Sequence, residues 1–465
     1  MNRTLRVALS ACLLTLLLAA SVLPTTGNAA LSTTGNAAFN SSARRRQATA
    51  QTAPAATQRD ERLWKHALAL HRKAIIVDGH NDIPTIMVDE DYDIGTSSVG
   101  KYHTDIPRLK QSGLTGEFFS IYVDRQYATP DWLAKNYIKD GGSTRRAIDL
   151  IDSVYRAVEK YPDSLMLSTS TADIRRAKRE GKVAALMGIE GGHAIENSLP
   201  ALREFYRLGV RYMTLTHNNT NEWADACCDE ARHNGLSDFG REVVREMNRL
   251  GMFVDISHVS DKTMSDVLDV SKAPVIASHS SARVFSNHKR NIPDELLKRI
   301  AQNGGVVMVN FYPAFLDEKV RVADLERDAK LKTQRDALKA QFKDDPKRLE
   351  EEQKKLNDAN PIPNTTLSML VDHIEHIIKV AGVDHVGIGS DFDGVPNLPE
   401  GIKDVSDLPN ITYELLRRGH SDADVLKILG GNFMRAFAEV ERVADTNRRK
   451  ISGEGSLRRL DSTVK

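Results

Sequence analysis

Six short apolar segments of the chain end in histidine, aspartate or glutamate, the residue types that bind metal ions. The residues at these ends are His80, Asp82, Glu190, His217, His258, His279 and Asp391. One histidine in such a place is equally well explained as a hydrogen-bonded structural residue, but six segments that end this way favour a shared site. Imidazole and carboxylate groups suit Zn²⁺ or a similar divalent ion. Five such ligands exceed what one tetrahedral ion uses, so two ions about 3.5–4 Å apart fit better, with Glu190 as the natural bridging carboxylate.

The segments that carry these residues alternate with amphipathic helices. The eight candidate strands are Ala74–Asp82, Glu117–Val123, Val183–Glu190, Tyr212–His217, Met252–His258, Pro274–His279, Gly305–Phe311 and His385–Asp391. Between them, Ser237–Leu250 has helical apolar spacing with Ser237 as its N-cap and Gly251 just after its end, and Leu367–Val380 has the same spacing. Eight strands alternating with helices predict an α/β fold, a closed (β/α)8 TIM-type barrel.

A barrel also explains how the polar residues come together. All parallel strands of a barrel end at the same mouth, where active sites are built. Residues two apart on a strand point the same way, so His80 and Asp82 can both face the barrel axis. An open doubly wound sheet is the alternative, but it requires a glycine-rich phosphate turn after the first strand, where this chain has Asp-Gly-His-Asn-Asp at 78–82.

Composition excludes several other classes of protein. The chain has 465 residues, of which 41% are hydrophobic and 27% charged, an ordinary globular balance. Its 64 basic and 63 acidic residues give a formal charge of +1, which predicts no general attraction to nucleic acid or to an anionic membrane. Three cysteines exclude a disulfide scaffold and a metal site made of four thiolates.

Both ends of the chain read as segments outside the fold. Residues 1–30 have two arginines, a long apolar run and small residues at the end, which predict an export signal peptide and a periplasmic or secreted protein. An uncleaved signal that acts as an anchor is the alternative. Residues 31–58 predict a flexible linker, and residues 444–465 predict a disordered polar tail without the apolar stretch of a glycolipid anchor signal. We therefore expect no stable membrane anchor.

The folded unit predicted between these ends is 59–443. It contains a charged stretch, 317–360, that reads as two helices broken at 344–346. Because this insertion follows the seventh strand, it emerges at the mouth of the barrel, either as a lid or as a solvated helical hairpin without a role.

Seven motifs of the folded unit closely resemble the membrane (renal) dipeptidase family, a zinc-dependent branch of the amidohydrolase barrels. They are Val-Asp-Gly-His-Asn-Asp-Ile-Pro at 77–84, Gly-Ile-Glu-Gly-Gly-His at 188–193, Leu-Thr-His-Asn at 215–218, Asp-Ile-Ser-His-Val-Ser at 255–260, Ser-His-Ser-Ser at 278–281, Arg-Asn-Ile-Pro-Asp at 290–294 and Gly-Ser-Asp-Phe-Asp-Gly at 389–394. The resemblance covers about 74–437 in the family's order. It implies a barrel with two zinc ions that hydrolyses dipeptides, and a homodimer remains open.

The resemblance also implies a role for each candidate residue. One zinc ion would be bound by His80 and Asp82, the other by His258 and His279, and Glu190 would bridge the two. The implied catalytic residues are Asp391, which handles the proton of the attacking water, and His217. Together with Arg290, these two residues would hold the substrate.

Several alternatives remain open at this point. The same metal set would serve another amide or ester hydrolase, such as a deacylase or a lactonase, because a fold does not fix a substrate. A non-catalytic exported binding protein is a further alternative. Arg290 could instead pair with Asp294 or Glu295. The adjacent Cys227 and Cys228 are expected to be free or loosely paired, because a disulfide between neighbours is a strained ring.

Overall fold

A computed structural model describes residues 59–343 and 345–453, which belong to one compact unit that begins at residue 59. The predicted export signal and linker, 1–58, lie outside the described residues. So does the end of the predicted tail from residue 454.

The centre of this unit is a closed barrel of parallel strands. The strands are β1 (Val77–Asn81), β2 (Gly116–Tyr122), β3 (Leu165–Leu167), β4 (Val183–Glu190), β5 (Val210–Thr214), β6 (Phe253–Asp255), β7 (Ile276–Ala277), β8 (Val306–Val309) and β9 (Val386–Ile388). Neighbours pair in the order β2-β1-β9-β8-β7-β6-β5-β4, and β4 pairs with β2 to close the ring of eight. The short β3 pairs only with the first half of β4. The predicted (β/α)8 barrel is confirmed, and its eight predicted strands are the eight of the ring.

Several strands end earlier than the sequence predicted. The segment expected to run to His258 ends as β6 at Asp255, and the segment expected to run to Asp391 ends as β9 at Ile388. His258 and Asp391 have φ angles of +65° and +64°, which an extended strand does not accommodate. His258 and Asp391 therefore lie in the turns that follow β6 and β9, still at the mouth.

Helices surround the barrel and connect its strands. They are α1 (Glu61–Lys73), α2 (Ile83–Asp89), α3 (Ile106–Ser112), α4 (Pro130–Asp140), α5 (Ser143–Lys160), α6 (Thr171–Glu180), α7 (Leu199–Arg207), α8 (Asp238–Leu250), α9 (Asp261–Val270), α10 (Asp294–Asn303), α11 (Pro313–Leu316), α12 (Glu318–Gln341), α13 (Pro346–Asp358), α14 (Leu367–Ala381), α15 (Pro409–Arg417), α16 (Asp422–Leu426) and α17 (Asn432–Gly453). The predicted caps of α8 are present: the Ser237 side chain accepts from Gly240 N–H, and Gly251 ends the helix at φ +92°.

The last helix, α17, closes the barrel at the end opposite the mouth. Its buried Phe433 and Phe437 pack against residues that fill the barrel interior, among them Phe118, Tyr212 and Phe253. The Tyr212 ring fits because β4 carries glycine at 188, where an added Cβ would lie 2.0 Å from that ring. The interior is thus a packed core, and the Tyr212 hydroxyl reaches up to the mouth.

The last helix extends past residue 443, the predicted end of the folded unit. Helix α17 continues to Gly453, and Ala444 is buried near Gly251 at the end of α8. Once a helix is nucleated, each added residue costs little, so its polar end need not be disordered. The charged insertion forms the two expected helices, α12 and α13.

Within 59–343 and 345–453, none of the helices has the long apolar stretch that a membrane crossing requires.

Candidate active site

The predicted site residues gather around one cavity of about 680 Å³ at the mouth of the barrel. Six of them line this cavity: Asp82, Glu190, His217, His258, Arg290 and Asp391. His80 and His279 lie at its floor and are almost completely buried. The structure therefore brings all eight residues named from the sequence into one place.

Glu190, the last residue of β4, stands at the centre of the cluster. Its Oε1 lies 2.8 Å from His258 Nε2 and 3.4 Å from His279 Nε2, and its Oε2 lies 3.3 Å from His80 Nε2. Burial would raise the pKa of this carboxyl, but the nearby charge of His80 lowers it well below its usual range. Glu190 is thus an ionised carboxylate with one oxygen directed to each side of the cluster.

His258 and His279 point unprotonated nitrogens at each other. The Nδ1–H of His258 donates to the Asn218 side-chain oxygen at 3.0 Å. His279 Nδ1 lies 2.8 Å from the Ser278 hydroxyl, which itself donates to Asp255 at 2.6 Å, so this Nδ1 also carries the proton. Both Nε2 atoms then present lone pairs, yet they lie only 3.0 Å apart.

Burial, the largest effect, also holds the pKa of His258 and of His279 well below the usual range. Both rings are therefore neutral near neutral pH, the state in which imidazole binds a metal.

His80 is oriented by a hydroxyl from the barrel interior. The Tyr212 oxygen lies 2.7 Å from His80 Nδ1 and 3.2 Å from the Gly79 carbonyl oxygen, so a hydroxyl that donates to the carbonyl accepts from Nδ1–H. The Nε2 atom is then directed at Asp82, whose Oδ2 is 3.1 Å away, and it has no hydrogen-bond partner among the described residues. Burial would lower the pKa of His80, but Tyr212, Asp82 and Glu190 together raise it, so a proton and a metal ion compete for this nitrogen.

The donor set fits divalent cations. Three overlapping groups of side chains each have ligand atoms that all lie within 4.8 Å of one another: His80 with Glu190 and His279, Glu190 with His217 and His258, and His80 with Asp82 and Asp391. Without a positive charge between them, the facing lone pairs and carboxylates would repel. Nitrogen and carboxylate ligands at such separations are typical of zinc and related metals.

Asp391 adds a further carboxyl at the edge of this cluster. Its Oδ2 accepts from Asn310 Nδ2 at 2.8 Å, and its backbone N–H donates to the His80 carbonyl at 3.1 Å. Burial, reinforced by the charges of Asp82 and Glu190, raises the pKa of Asp391 to about 7. A carboxyl in this range can take up and release a proton near neutral pH.

His217 lines the cavity directly beside Glu190 and His258. Its ring lies 4.5 Å from the His258 ring and 4.8 Å from the Tyr122 ring, between centroids. Burial, the largest effect, lowers the pKa of His217, so the ring is neutral and keeps one N–H. An N–H here can donate to an oxygen that gains charge beside the metal ligands.

Arg290 carries a buried positive charge in the same cavity. Its two terminal nitrogens donate to the Ser280 hydroxyl and to the His279 carbonyl, each at 3.1 Å, and the residue is 2% exposed. Its Nε has no partner in the part of the chain that the structure describes, and no carboxylate there forms an ion pair with it. Neither Asp294 nor Glu295 pairs with Arg290 within the described residues, and Asp294 instead accepts from His376 at 2.8 Å. A buried guanidinium without a counter-charge is suited to bind an anion.

Aromatic side chains surround the guanidinium. The Phe315 ring centroid is 5.4 Å from the Arg290 guanidinium carbon and 4.5 Å from the His288 ring. Tyr312 packs edge-on against Phe315 at 5.0 Å. This aromatic wall, made of His288, Tyr312 and Phe315, lines the cavity beside the anion-binding position.

The two adjacent cysteines are free, as expected, and differ in exposure. Cys227 is buried, whereas Cys228 is exposed and lines the cavity. A hydrogen bond from Cys227 lowers the pKa of Cys228 to about 7, and the nearby Arg290 and Lys289 charges act in the same direction.

Reasoning from the sequence missed the residues that orient the histidines. These are Tyr212, Asn218 and the pair Ser278 and Asp255. Asp255 accepts four hydrogen bonds. The donors are the Thr214 hydroxyl, the Ser257 amide, and the amide and hydroxyl of Ser278. An aspartate at the end of a buried apolar run is a signal that could have pointed to this role.

Comparisons with known proteins agree with this geometry. A family model described as membrane dipeptidase, peptidase family M19, matches residues 64–451. Among solved structures, the chain is similar to a probable dipeptidase, PvdM, from Pseudomonas aeruginosa, with 28% identity and a TM-score of 0.70 over 83% of this chain and 100% of that one. It is also similar to an amidohydrolase from Pseudomonas aeruginosa, with 26% identity and a TM-score of 0.60 over 80% of this chain and 98% of that one. A metallopeptidase from Rhodobacter sphaeroides, solved with a phosphinate mimic of the dipeptide L-Ala-D-Ala, shares the fold at 24% identity and a TM-score of 0.62 over 79% and 99% of the two chains.

Proposed function

The chain belongs to the membrane dipeptidase family, peptidase family M19, and from this premise we propose that it is an exported enzyme that hydrolyses dipeptides with two zinc ions. The observation that carries the proposal is the buried guanidinium of Arg290 in the same cavity as the metal-ligand cluster. A dipeptide has a carboxylate one residue beyond its only peptide bond. An enclosed cation at a fixed distance from the reacting centre would select that length.

The proposed zinc ligands are those that the family resemblance implies, and all of them lie in this cluster. His80 and Asp82 would bind one ion, His258 and His279 the other, and the two oxygens of Glu190 would bridge them. Bound zinc would supply Lewis-acid chemistry, lowering the pKa of water toward about 7 and polarising a carbonyl group.

The remaining steps are assigned to side chains of the chain itself. Asp391 would accept the proton of the attacking water and pass it to the leaving amine. Positive charge beside Asp82 and Glu190 would offset the two carboxylates that raise the pKa of Asp391, and would so favour the ionised form that a base needs. His217 would donate its N–H to the carbonyl oxygen as negative charge develops there, and Arg290 would bind the terminal carboxylate.

A second activity is favoured by the same arginine. An N-acyl amino acid also has a carboxylate one residue beyond an amide bond, so a deacylase would use the same geometry. A lactone has no such carboxylate, so a buried cation in the cavity would have no group of the lactone to bind.

A substrate panel with metal analysis tests the proposal. The purified protein, loaded with Zn²⁺, is assayed on dipeptides, N-acyl amino acids and lactones, and its metal content is measured. We expect about two zinc ions per chain, fastest turnover of dipeptides, loss of activity with a chelator and its return with Zn²⁺. Faster turnover of N-acyl amino acids would replace the proposal with the deacylase, and no turnover of any substrate would leave a binding protein.

Export is part of the proposal and rests on residues 1–30, whose sequence has the features of a signal peptide. Expression of the full chain followed by cell fractionation tests it. We expect a mature protein that starts near residue 31 outside the cytoplasm, and an intact amino terminus in the cytoplasm would contradict export.

A further inference from the structure

The first helix of the charged insertion is docked at the mouth of the barrel. The backbone N–H of Glu318 donates to the Phe285 carbonyl at 3.1 Å, and its carboxylate accepts from the Asn287 amide at 2.8 Å. Val320, in the first turn of α12, is buried. The start of α12 therefore holds the loop that leads to Arg290, although most of the insertion is charged.

The same helix also contacts the aromatic wall. The Tyr312 hydroxyl donates to the carboxylate of Asp324 at 3.2 Å, two turns into α12. Burial, the largest effect, raises the pKa of Tyr312, so the phenol stays protonated and remains a donor. Arg327, one turn further on, forms an ion pair with Asp324 and fixes the acceptor in turn.

Tyr312 is connected to Arg290 through the ring of Phe315, and all three side chains line the cavity. Its ring stands at 89° to the Phe315 ring, which in turn lies below the guanidinium of Arg290. If Arg290 binds the terminal carboxylate, the side chain of the terminal residue must lie against this aromatic wall. The hydrogen bond from the Tyr312 hydroxyl to Asp324 fixes the orientation of the Tyr312 ring. The ring then turns neither into the space for the terminal side chain nor away from it.

We propose that Asp324 is a positioning residue that acts through Tyr312 and sets the size of the C-terminal side chain that the enzyme accepts. The inference rests on the proposed dipeptidase function. It assigns a role in substrate selection to α12, the first half of the insertion, and none to α13.

The test compares substrate selectivity across a matched set of variants. Asp324→Ala and Tyr312→Phe remove the hydrogen bond from either side, and Asp324→Asn keeps an acceptor. Asp336→Ala is the control, because Asp336 lies further along α12 and makes an exposed pair with Lys332 at 2.6 Å. For each variant, kcat and KM are measured on dipeptides that share a first residue and end in glycine or in phenylalanine, together with zinc content and Tm.

We expect Asp324→Ala and Tyr312→Phe to change the ratio of kcat/KM between the two substrates by at least about fivefold, in the same direction and mainly through KM. The double variant should show no further change, because both substitutions break one interaction. Asp324→Asn should stay within about twofold of the wild-type ratio, and Asp336→Ala should match it. A purely structural role would lower Tm without moving the ratio.

Different outcomes overturn different parts of the reasoning. If the wild-type enzyme hydrolyses dipeptides but Asp324→Ala leaves the kcat/KM ratio of the two substrates unchanged, only the role of Asp324 is overturned. Additive effects of the two substitutions in the double variant would overturn that role as well. Absence of dipeptide hydrolysis by the wild-type enzyme overturns the proposed function and this inference together. If Asp324→Ala does not fold, the kcat/KM ratios of Tyr312→Phe and Asp324→Asn are compared instead. A changed ratio in Tyr312→Phe and a wild-type ratio in Asp324→Asn would support the proposal, and an unchanged ratio in Tyr312→Phe would overturn it.

Discussion

Replacement of Arg290 by methionine removes the buried cation and keeps a side chain of similar length. The guanidinium has five N–H groups, of which one is used by Ser280 and one by the His279 carbonyl. Its Nε–H and the remaining groups are available to a carboxylate. A hydrogen bond to a charged group contributes about 1.5–3 kcal/mol, and about 1.4 kcal/mol corresponds to a factor of ten. We therefore expect Arg290→Met to reduce kcat/KM for a dipeptide by about ten- to a hundredfold.

The decisive assay compares a dipeptide with its C-terminal amide. The wild-type enzyme should strongly prefer the free acid, and Arg290→Met should lose most of that preference because the amide has no charge to bind. Arg290→Lys should recover only part of it, since an ammonium group keeps the charge but lacks the two-pronged geometry. Arg299→Met is a matched control, because Arg299 pairs with Asp269 on the outside of the barrel.

Metal content must accompany these rates, because the His279 carbonyl loses a donor in Arg290→Met. Equal wild-type rates on acid and amide would refute the assignment of Arg290 to the carboxylate. A mutant that loses zinc as well as activity would show that Arg290 acts on the metal centre.

Four further predictions follow from the contacts of single residues. Asp391→Asn should reduce turnover by at least about a hundredfold and leave zinc content unchanged, since it removes a proton acceptor only. Tyr212→Phe should weaken zinc binding by about ten- to a hundredfold in a chelator competition, because His80 loses its hydrogen-bond partner. Iodoacetamide should alkylate Cys228 with a midpoint near pH 7 and block turnover, because its pKa is lowered to about 7 in the cavity. Burial lowers the pKa of His373 to about 4, so its neutral ring stabilises the folded state fully above pH 6.5. This contribution to the free energy of unfolding should fall by roughly 3 kcal/mol between pH 6.5 and pH 4. Urea unfolding at a series of pH values measures it, and His373→Gln should lose this pH dependence.

Each of these expectations has a clear contrary result. Unchanged turnover would remove Asp391 from the mechanism, and unchanged zinc affinity would make the Tyr212 hydroxyl irrelevant to the metal. Alkylated Cys228 with full activity would place its thiol away from the substrate path. Parallel pH profiles for wild type and His373→Gln would show that the buried ring does not set the acid sensitivity.

The barrel and the site residues at the strand ends were predictable because both follow from local patterns, whereas Arg290 was named only from the family resemblance. A buried parallel strand such as β4 is apolar along its whole length, and a carboxylate at its end stands out. Parallel strands end at one mouth, so residues at their ends converge without any knowledge of the packing. The caps of α8 were predictable for the same reason, since Ser237 and Gly251 act within a few residues of the chain.

What the sequence did not reveal depends on contacts between distant segments. The Tyr212 hydroxyl reaches His80 across the barrel, and its place depends on strand register and on the missing side chain at 188. Strand ends were misplaced because a left-handed φ at His258 or Asp391 leaves no trace in hydrophobicity. The docking of α12 was hidden in the same way, because the contact of Asp324 with Tyr312 lies within a charged stretch.

The aromatic stack beneath the metal centre has a consequence for the order of events during folding. Phe433 of α17 packs on Phe118, which packs on Tyr212, and Tyr212 orients His80. During synthesis α17 leaves the ribosome after every residue that we propose as a metal ligand. In a nascent chain without α17, Phe118 lacks its contact with Phe433, and the position of Tyr212 is no longer fixed by packing. We expect that Tyr212 then does not orient His80 for metal binding. We therefore expect tight zinc uptake to be a late step that follows the synthesis and packing of α17, and bound zinc should in turn protect α17 from proteolysis.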